Sequence, residues 1–161
     1  MSLCAFIVPV AGVIVAASTV GAVTTYSDTT VVGNTSYVYK VRAVDSLARV
    51  SPFSAPDAAT TMFFTDDPIA ATITAVKAIH ITELRQAVND MRVAASLSAA
   101  SFTDGAPAVI KALHIQQLRA ALDPARTALG LPPLTYTDGT LTGGTTIVKA
   151  AHVQELRTGV K

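Results

Sequence analysis

Apolar and polar residues alternate between Tyr37 and Val44. Tyr37, Tyr39, Val41 and Ala43 take one set of positions, and Val38, Lys40, Arg42 and Val44 the other. A period of two sends successive side chains to opposite faces, so the stretch predicts a strand with one polar-leaning face. Gly33-Asn34 supplies a turn just before it. Upstream, Leu3 to Ala17 is almost wholly apolar, and its Val, Ile and Phe content predicts one or two buried strands. Beyond Asp66-Asp67-Pro68 the period changes. His80, Leu84, Ala87 and Met91 fall on one helical stripe, widened by Ile81 and Val88. His114, Leu118 and Ala121, with Ile115 and Leu122, make a second stripe. His152, Leu156 and Gly159, with Val153 and Val160, make a third. Asp123-Pro124 reads as the cap and first position of a fresh helical turn that ends before Gly130.

The three helical stretches share a motif, K-A-x-H-[IV]-x-[EQ]-L-R. It spans Lys77 to Arg85, Lys111 to Arg119 and Lys149 to Arg157. The chain has 3 histidines, and each falls at the same place in one copy. An aromatic-Thr-Asp triplet precedes every copy: Phe64-Thr65-Asp66, Phe102-Thr103-Asp104 and Tyr136-Thr137-Asp138. From the residue numbers, the histidines lie 34 and then 38 positions apart. A period of that size signals one supersecondary unit per copy. The expected division is therefore 1–62 for the apolar segment and β region, and 63–161 for the helical repeats (63–100, 101–134 and 135–161).

Composition narrows the partners. Charged residues are 14% of the chain, against roughly a quarter in ordinary domains. A net charge of +1, with no basic run, offers nothing to nucleic acid or an anionic membrane. The single Cys4 precludes an intrachain disulfide and a Cys-based zinc finger, and in its apolar setting it reads as a buried, inert thiol. Leu3–Ala17 has no Lys or Arg ahead of it, so it does not read as a secretory signal. Pro9 and Gly12 interrupt it as a spanning helix.

The stretch Asp28 to Asp45, followed by Val50 to Pro56, resembles the last third of a fibronectin type III domain. The resemblance makes Thr24–Val32 strand E, makes Tyr37 the tyrosine-corner residue of strand F, and has Ser51–Thr60 lead into strand G. It covers about 35 residues. Such a sandwich needs about seven strands, and too little chain precedes strand E to supply them. An incomplete sandwich leaves an apolar face and open edges. The Leu3–Ala17 segment, the helices or a second chain must cover them, and a homodimer through the incomplete sandwich is expected. The helical copies resemble the "HI-x-ELR" repeats that follow fibronectin-like modules in large secreted or surface proteins of environmental bacteria. That resemblance implies a secreted or cell-surface parent and no defined activity. The fold class expected is α+β, an incomplete fibronectin III-like sandwich followed by a three-copy helical repeat.

Two readings of the histidines stand side by side. In one they are structural. Each bonds a loop carbonyl, pairs with the Asp of its aromatic-Thr-Asp triplet, or pairs with the residue three places on (Glu83, Gln117 or Glu155). In the other the copies pack around a common axis, and His80, His114 and His152 converge as zinc ligands with a fourth position open to water. Zinc-bound water becomes a hydroxide nucleophile near neutral pH. Glu83 and Glu155, with Gln117, then orient the ligands or accept protons. Lys77, Lys111 and Lys149 either pack their stems on the apolar stripe or clamp a phosphoryl oxygen. Arg85, Arg119 and Arg157 make ion pairs or bind an anionic substrate. Asp66, Asp104 and Asp138 read as turn or cap residues. The leading expectation is a weak, promiscuous zinc hydrolase of small activated esters or phosphoesters. The alternative is a non-catalytic structural or adhesion fragment of a secreted surface protein.

Overall fold

The computed structural model describes residues 2–9, 15–18, 25–70, 73–105 and 107–161. For the strands within 2–9 and 15–18 it describes the backbone alone. The chain is mixed α and β, strands first and helices after. The strands are β1 (Ser2–Pro9), β2 (Val15–Ser18), β3 (Ser36–Val44) and β4 (Asp57–Thr60). The helices are α1 (Ala78–Ala94), α2 (Ala112–Ala128) and α3 (Ala150–Gly159).

The strands form one antiparallel sheet in the order β2-β1-β3-β4. The apolar run therefore makes two strands, as its β-branched content predicts. They add to the edge of β3, with Ile7 opposite Tyr39 and Val8 opposite Val38. The expected burial of Leu3–Ala17 and of the Cys4 thiol lies outside the described residues. On the other side of β3, Val38 lies opposite Ala58 and both are buried. Ser36 Oγ and Thr60 Oγ1 share a hydrogen bond of 2.6 Å at the end of that ladder. The Tyr37 hydroxyl accepts a hydrogen bond of 2.8 Å from the Val32 N–H, which pins the incoming chain to the strand.

Residues 25–32 form no strand, contrary to the expectation for Thr24–Val32. Asp28 Oδ1 accepts from both the N–H and the hydroxyl of Thr30, at 2.9 and 2.7 Å. That local turn competes with extended pairing.

α1 packs on β3 and β4, so a helix of the same chain covers part of the sheet. The three helical stripes then bury against one another. Ile81, Leu84, Val88 and Met91 of α1 meet Ile115, Leu118 and Leu122 of α2, Val153 and Leu156 of α3, and Val160 just past its end. Each of these side chains is fully buried. Full burial of a Leu or Ile contributes about 1.5–3 kcal/mol.

The fresh turn expected at Asp123-Pro124 does not form, because α2 runs through Pro124 to Ala128. Proline has no N–H for the helix ladder and crowds the carbonyl one turn back. Here Arg92 Nη1 donates to the neighbouring Ala121 carbonyl at 2.8 Å, and Leu122 and Ala125 are buried on either side. Tertiary packing holds the helix together where the local signal would end it. Both long helices close in the same way. Ser96 and Gly130 adopt left-handed φ values of 57° and 72°. Around them, Leu97 N–H bonds Arg92 O and Leu131 N–H bonds Arg126 O. No helix among the described residues is long and apolar enough to cross a membrane.

Candidate functional site: the histidine, arginine and aspartate sets

Each histidine is the third residue of its helix and reaches back over the first turn. The Lys77 N–H donates to His80 Nδ1 at 3.2 Å, Lys111 N–H to His114 Nδ1 at 3.1 Å, and Lys149 N–H to His152 Nδ1 at 3.3 Å. A glutamate or glutamine does this in an ordinary capping box. An accepting Nδ1 leaves the ring proton on Nε2. That nitrogen faces the aspartate of the same copy's triplet, with Nε2 to Oδ2 distances of 3.1 Å for His80–Asp66, 3.5 Å for His114–Asp104 and 3.1 Å for His152–Asp138. All three rings are fully buried.

The aspartates are held from a second side. Lys77, Lys111 and Lys149 donate Nζ to the same Oδ2 atoms at 2.8, 2.6 and 2.6 Å. Asp66, Asp104 and Asp138 lie in the left-handed region, at φ of 53°, 55° and 51°. Aspartate tolerates that region better than most residues. The lysine bond first, and the histidine bond second, hold each carboxyl below its ordinary value near 3.8.

The residue three places after each histidine bonds the threonine of the triplet. Glu83 accepts from Thr65 N–H at 3.0 Å and Thr65 Oγ1 at 2.5 Å. Gln117 accepts from Thr103 N–H at 3.3 Å, and Glu155 from Thr137 N–H at 3.0 Å. The pairing of Glu83 or Glu155 with the histidine on its own helix is replaced by this bond.

The arginines look outward to the following copy. Arg85 donates to Thr103 O at 2.7 Å and Asp104 O at 2.9 Å, and also to Gly105 O. Arg119 donates to Thr137 O at 2.8 Å and Asp138 O at 2.9 Å. Arg157, in the third copy, donates to Thr65 O at 2.7 Å and Asp66 O at 2.8 Å in the first. The bonding runs from first to second to third and back to first. Each guanidinium also lies over the aromatic ring of the triplet it grips, 5.2 Å from the centroid of Phe102, 4.3 Å from Tyr136 and 4.9 Å from Phe64. Two arginines carry further ion pairs, Arg119 with Glu155 at 3.5 Å, and Arg157 with Glu83 at 3.4 Å and Asp67 at 3.9 Å. Gln117 occupies the matching position opposite Arg85.

The arrangement therefore differs from the one expected for a zinc centre. Each histidine sits on its own triplet, and among the described residues no group of three or more His, Cys, Asp and Glu side chains is placed to hold a metal ion. Glu83 and Glu155 bind threonines and arginines rather than standing behind metal ligands. The lysine heads are engaged by carboxylates, and the arginine forks by carbonyls. A surface depression of about 820 Å³ opens at the N-terminal ends of the helices, lined by Val76, Lys77, Ile110, Lys111, Thr145 and Val148 among others. None of the histidines lines it.

The pairing of His with the triplet aspartate is one of the structural alternatives the sequence offers, and the ion pairs of Arg119 and Arg157 with glutamates are expected from it as well. The arginine grip on the backbone carbonyls of the next triplet is not, although an aromatic at one fixed position and an arginine at another, in every copy, is the signal for it. Comparison with protein-family models, curated proteins and solved structures found no match.

Proposed function

We propose that this chain is a non-catalytic structural module of a secreted or surface protein, in which part of a fibronectin type III-like sheet leads into a three-copy helical repeat. One observation carries the reading. Both ring nitrogens of every histidine are engaged within its own copy, and the rings are fully buried. A metal ligand must offer a free lone pair. Here the Nδ1 lone pair caps a helix, and Nε2 carries the proton shared with aspartate. Lys, Glu and Arg at the repeated positions are likewise engaged by protein groups. The recurrence of the motif is then explained by folding chemistry, since each copy needs the same cap and the same loop clamp.

The sheet supports the fibronectin part of the proposal. β3 and β4 pair as strands F and G would, and the Tyr37 hydroxyl bonds back to the Val32 N–H, as a tyrosine corner does. The secreted or surface setting rests on the resemblance of the helical copies to the HI-x-ELR repeats.

The competing proposal, a zinc hydrolase of activated esters or phosphoesters, requires three histidines to abandon these bonds and converge. Elemental analysis of the purified wild type after zinc addition and dialysis, beside His114→Ala, separates the two. The structural reading expects no stoichiometric zinc and no chelator-sensitive ester or phosphoester hydrolysis. About one zinc per chain, lost in the variant, would overturn it.

A further inference from the structure

The bonds that close the cycle join residues far apart in the chain, Arg157 to Thr65 and Asp66 across 92 and 91 positions. They use the same guanidinium, backbone carbonyls and aromatic ring as the bonds made between neighbouring copies. Nothing covalent distinguishes the closing contact, so its acceptors are the same whether they belong to this chain or to another copy of it.

The third copy also has the features of a detachable element. Its connection to α2 runs through Gly130, at φ 72°, and then Leu131-Pro132-Pro133-Leu134. Two consecutive prolines hold the residues around them extended and away from the helical region. What retains it is non-covalent on both sides: Val153, Leu156 and Val160 in the core, Arg157 on the first triplet, Gln154 Oε1 accepting from Ile69 N–H at 3.1 Å and Lys161 Nζ paired with Asp67, and, from α2, Arg119 on Thr137 and Asp138, Gln116 on Leu141 O and Arg126 on Gly159 O.

We propose that residues 131–161 are an exchangeable element that a second copy of this chain can supply. The product is a reciprocal dimer in which each cycle is closed by Arg157 of the other copy and each Arg119 grips the other copy's third triplet. Exchange of an identical element makes no new contact chemistry and carries only the cost of bringing two chains together. The effective concentration that favours the closed monomer is on the order of millimolar for a short flexible tether, which is the reference for the stiffer Pro132-Pro133 connection. Millimolar chain concentration, after transient opening, is therefore the regime in which the dimer forms. This inference rests on the arginine bonding and the Pro132-Pro133 connection, and it stands whether or not the chain binds zinc.

The Lys161–Asp67 pair provides the test on the wild-type chain. Equal amounts of unlabelled and nitrogen-15-labelled protein are mixed at millimolar concentration, partly unfolded in urea and returned to buffer. Monomer and dimer are then separated by size exclusion with light scattering. Zero-length carbodiimide coupling fixes lysine–carboxylate pairs, and mass spectrometry reads their labels. The Lys77–Asp66 and Lys149–Asp138 pairs lie within one copy and serve as single-label controls. The expected result is a dimer fraction in which mixed-label and single-label Lys161–Asp67 links occur in comparable amounts, with single-label links alone in the monomer. Absence of a dimer at millimolar concentration overturns the proposal. So does a dimer whose Lys161–Asp67 links are all single-label, since that dimer would associate through another surface.

Discussion

Replacing Arg157 with alanine tests the closed bonding cycle where it is tightest. The side chain is fully buried, and its two charge-assisted bonds to Thr65 O and Asp66 O measure 2.7 and 2.8 Å. Bonds of this class contribute about 1.5–3 kcal/mol each. The Phe64 face at 4.9 Å adds about 0.5–1 kcal/mol, or more when desolvated. Desolvation of the guanidinium opposes these gains. The net loss on truncation is set by what remains, namely the Thr65 and Asp66 carbonyls without their guanidinium donors and Glu83, whose side chain is only 14% exposed, without its cation. Breaking a buried charged pair from one side costs about 3–5 kcal/mol. Against a total stability of about 5–15 kcal/mol for a domain, that is a large fraction. Arg85→Ala removes the equivalent two carbonyl bonds and the one to Gly105 O but leaves the uncharged Gln117 behind, so its cost is smaller, about 2–3 kcal/mol. Urea unfolding of the full chain, followed by far-ultraviolet circular dichroism, reads both variants. An Arg157→Ala cost below about 1 kcal/mol, the range of an exposed salt bridge, would refute the reasoning. An Arg85→Ala cost above that of Arg157→Ala would refute it equally.

Other outcomes follow from the same geometry. Gln117→Glu places a carboxylate at the position that Glu155 and Glu83 occupy opposite Arg119 and Arg157. It should stabilise the chain by about 0.5–1 kcal/mol at low salt, with the gain shrinking as salt is added; urea midpoints at two ionic strengths check both parts. Ser96→Gly relieves a left-handed residue at the end of α1. After the extra entropy of glycine in the unfolded chain is subtracted, it should gain about 0.5–1 kcal/mol, read as a raised melting temperature. Acid should weaken the fold through Asp66, Asp104 and Asp138. Their folded carboxyls titrate below the ordinary value, so their contribution is present above that value and is lost as pH falls through the folded one. Urea midpoints should therefore fall from pH 5 downward, and an Asp66→Asn, Asp104→Asn, Asp138→Asn triple variant should show a flatter profile.

The helical part of the fold was legible because one period governs it. His80, Leu84, Ala87 and Met91 are buried as their spacing requires, and so are their counterparts in the other copies. The β part was legible where alternation was strong, at β3, and failed at residues 25–32, where the Asp28–Thr30 turn outweighs the valines that follow. Pro124 misled for a related reason. Local chemistry marks it as a helix start, while burial of Leu122 and Ala125 and the donor from Arg92 keep α2 continuous. The histidine pattern was visible at once, but repetition alone does not say whether equivalent residues meet at an axis or stay apart. That depends on the direction in which each copy turns, and the turn is set by the arginine grip on the next triplet. Those contacts, of Arg85, Arg119 and Arg157 with backbone carbonyls, leave no trace in the identity of the acceptor residue. Only the aromatic that each arginine covers is written in the chain.

The most direct test of the structural role of the histidines is nitrogen-15 NMR of their ring nitrogens at neutral pH, with and without zinc. Three rings with the proton on Nε2 and an accepting Nδ1, unchanged by stoichiometric zinc, are what the capping geometry predicts. Rings protonated on Nδ1, or ring signals of His80, His114 and His152 that shift together when zinc is added, would contradict it.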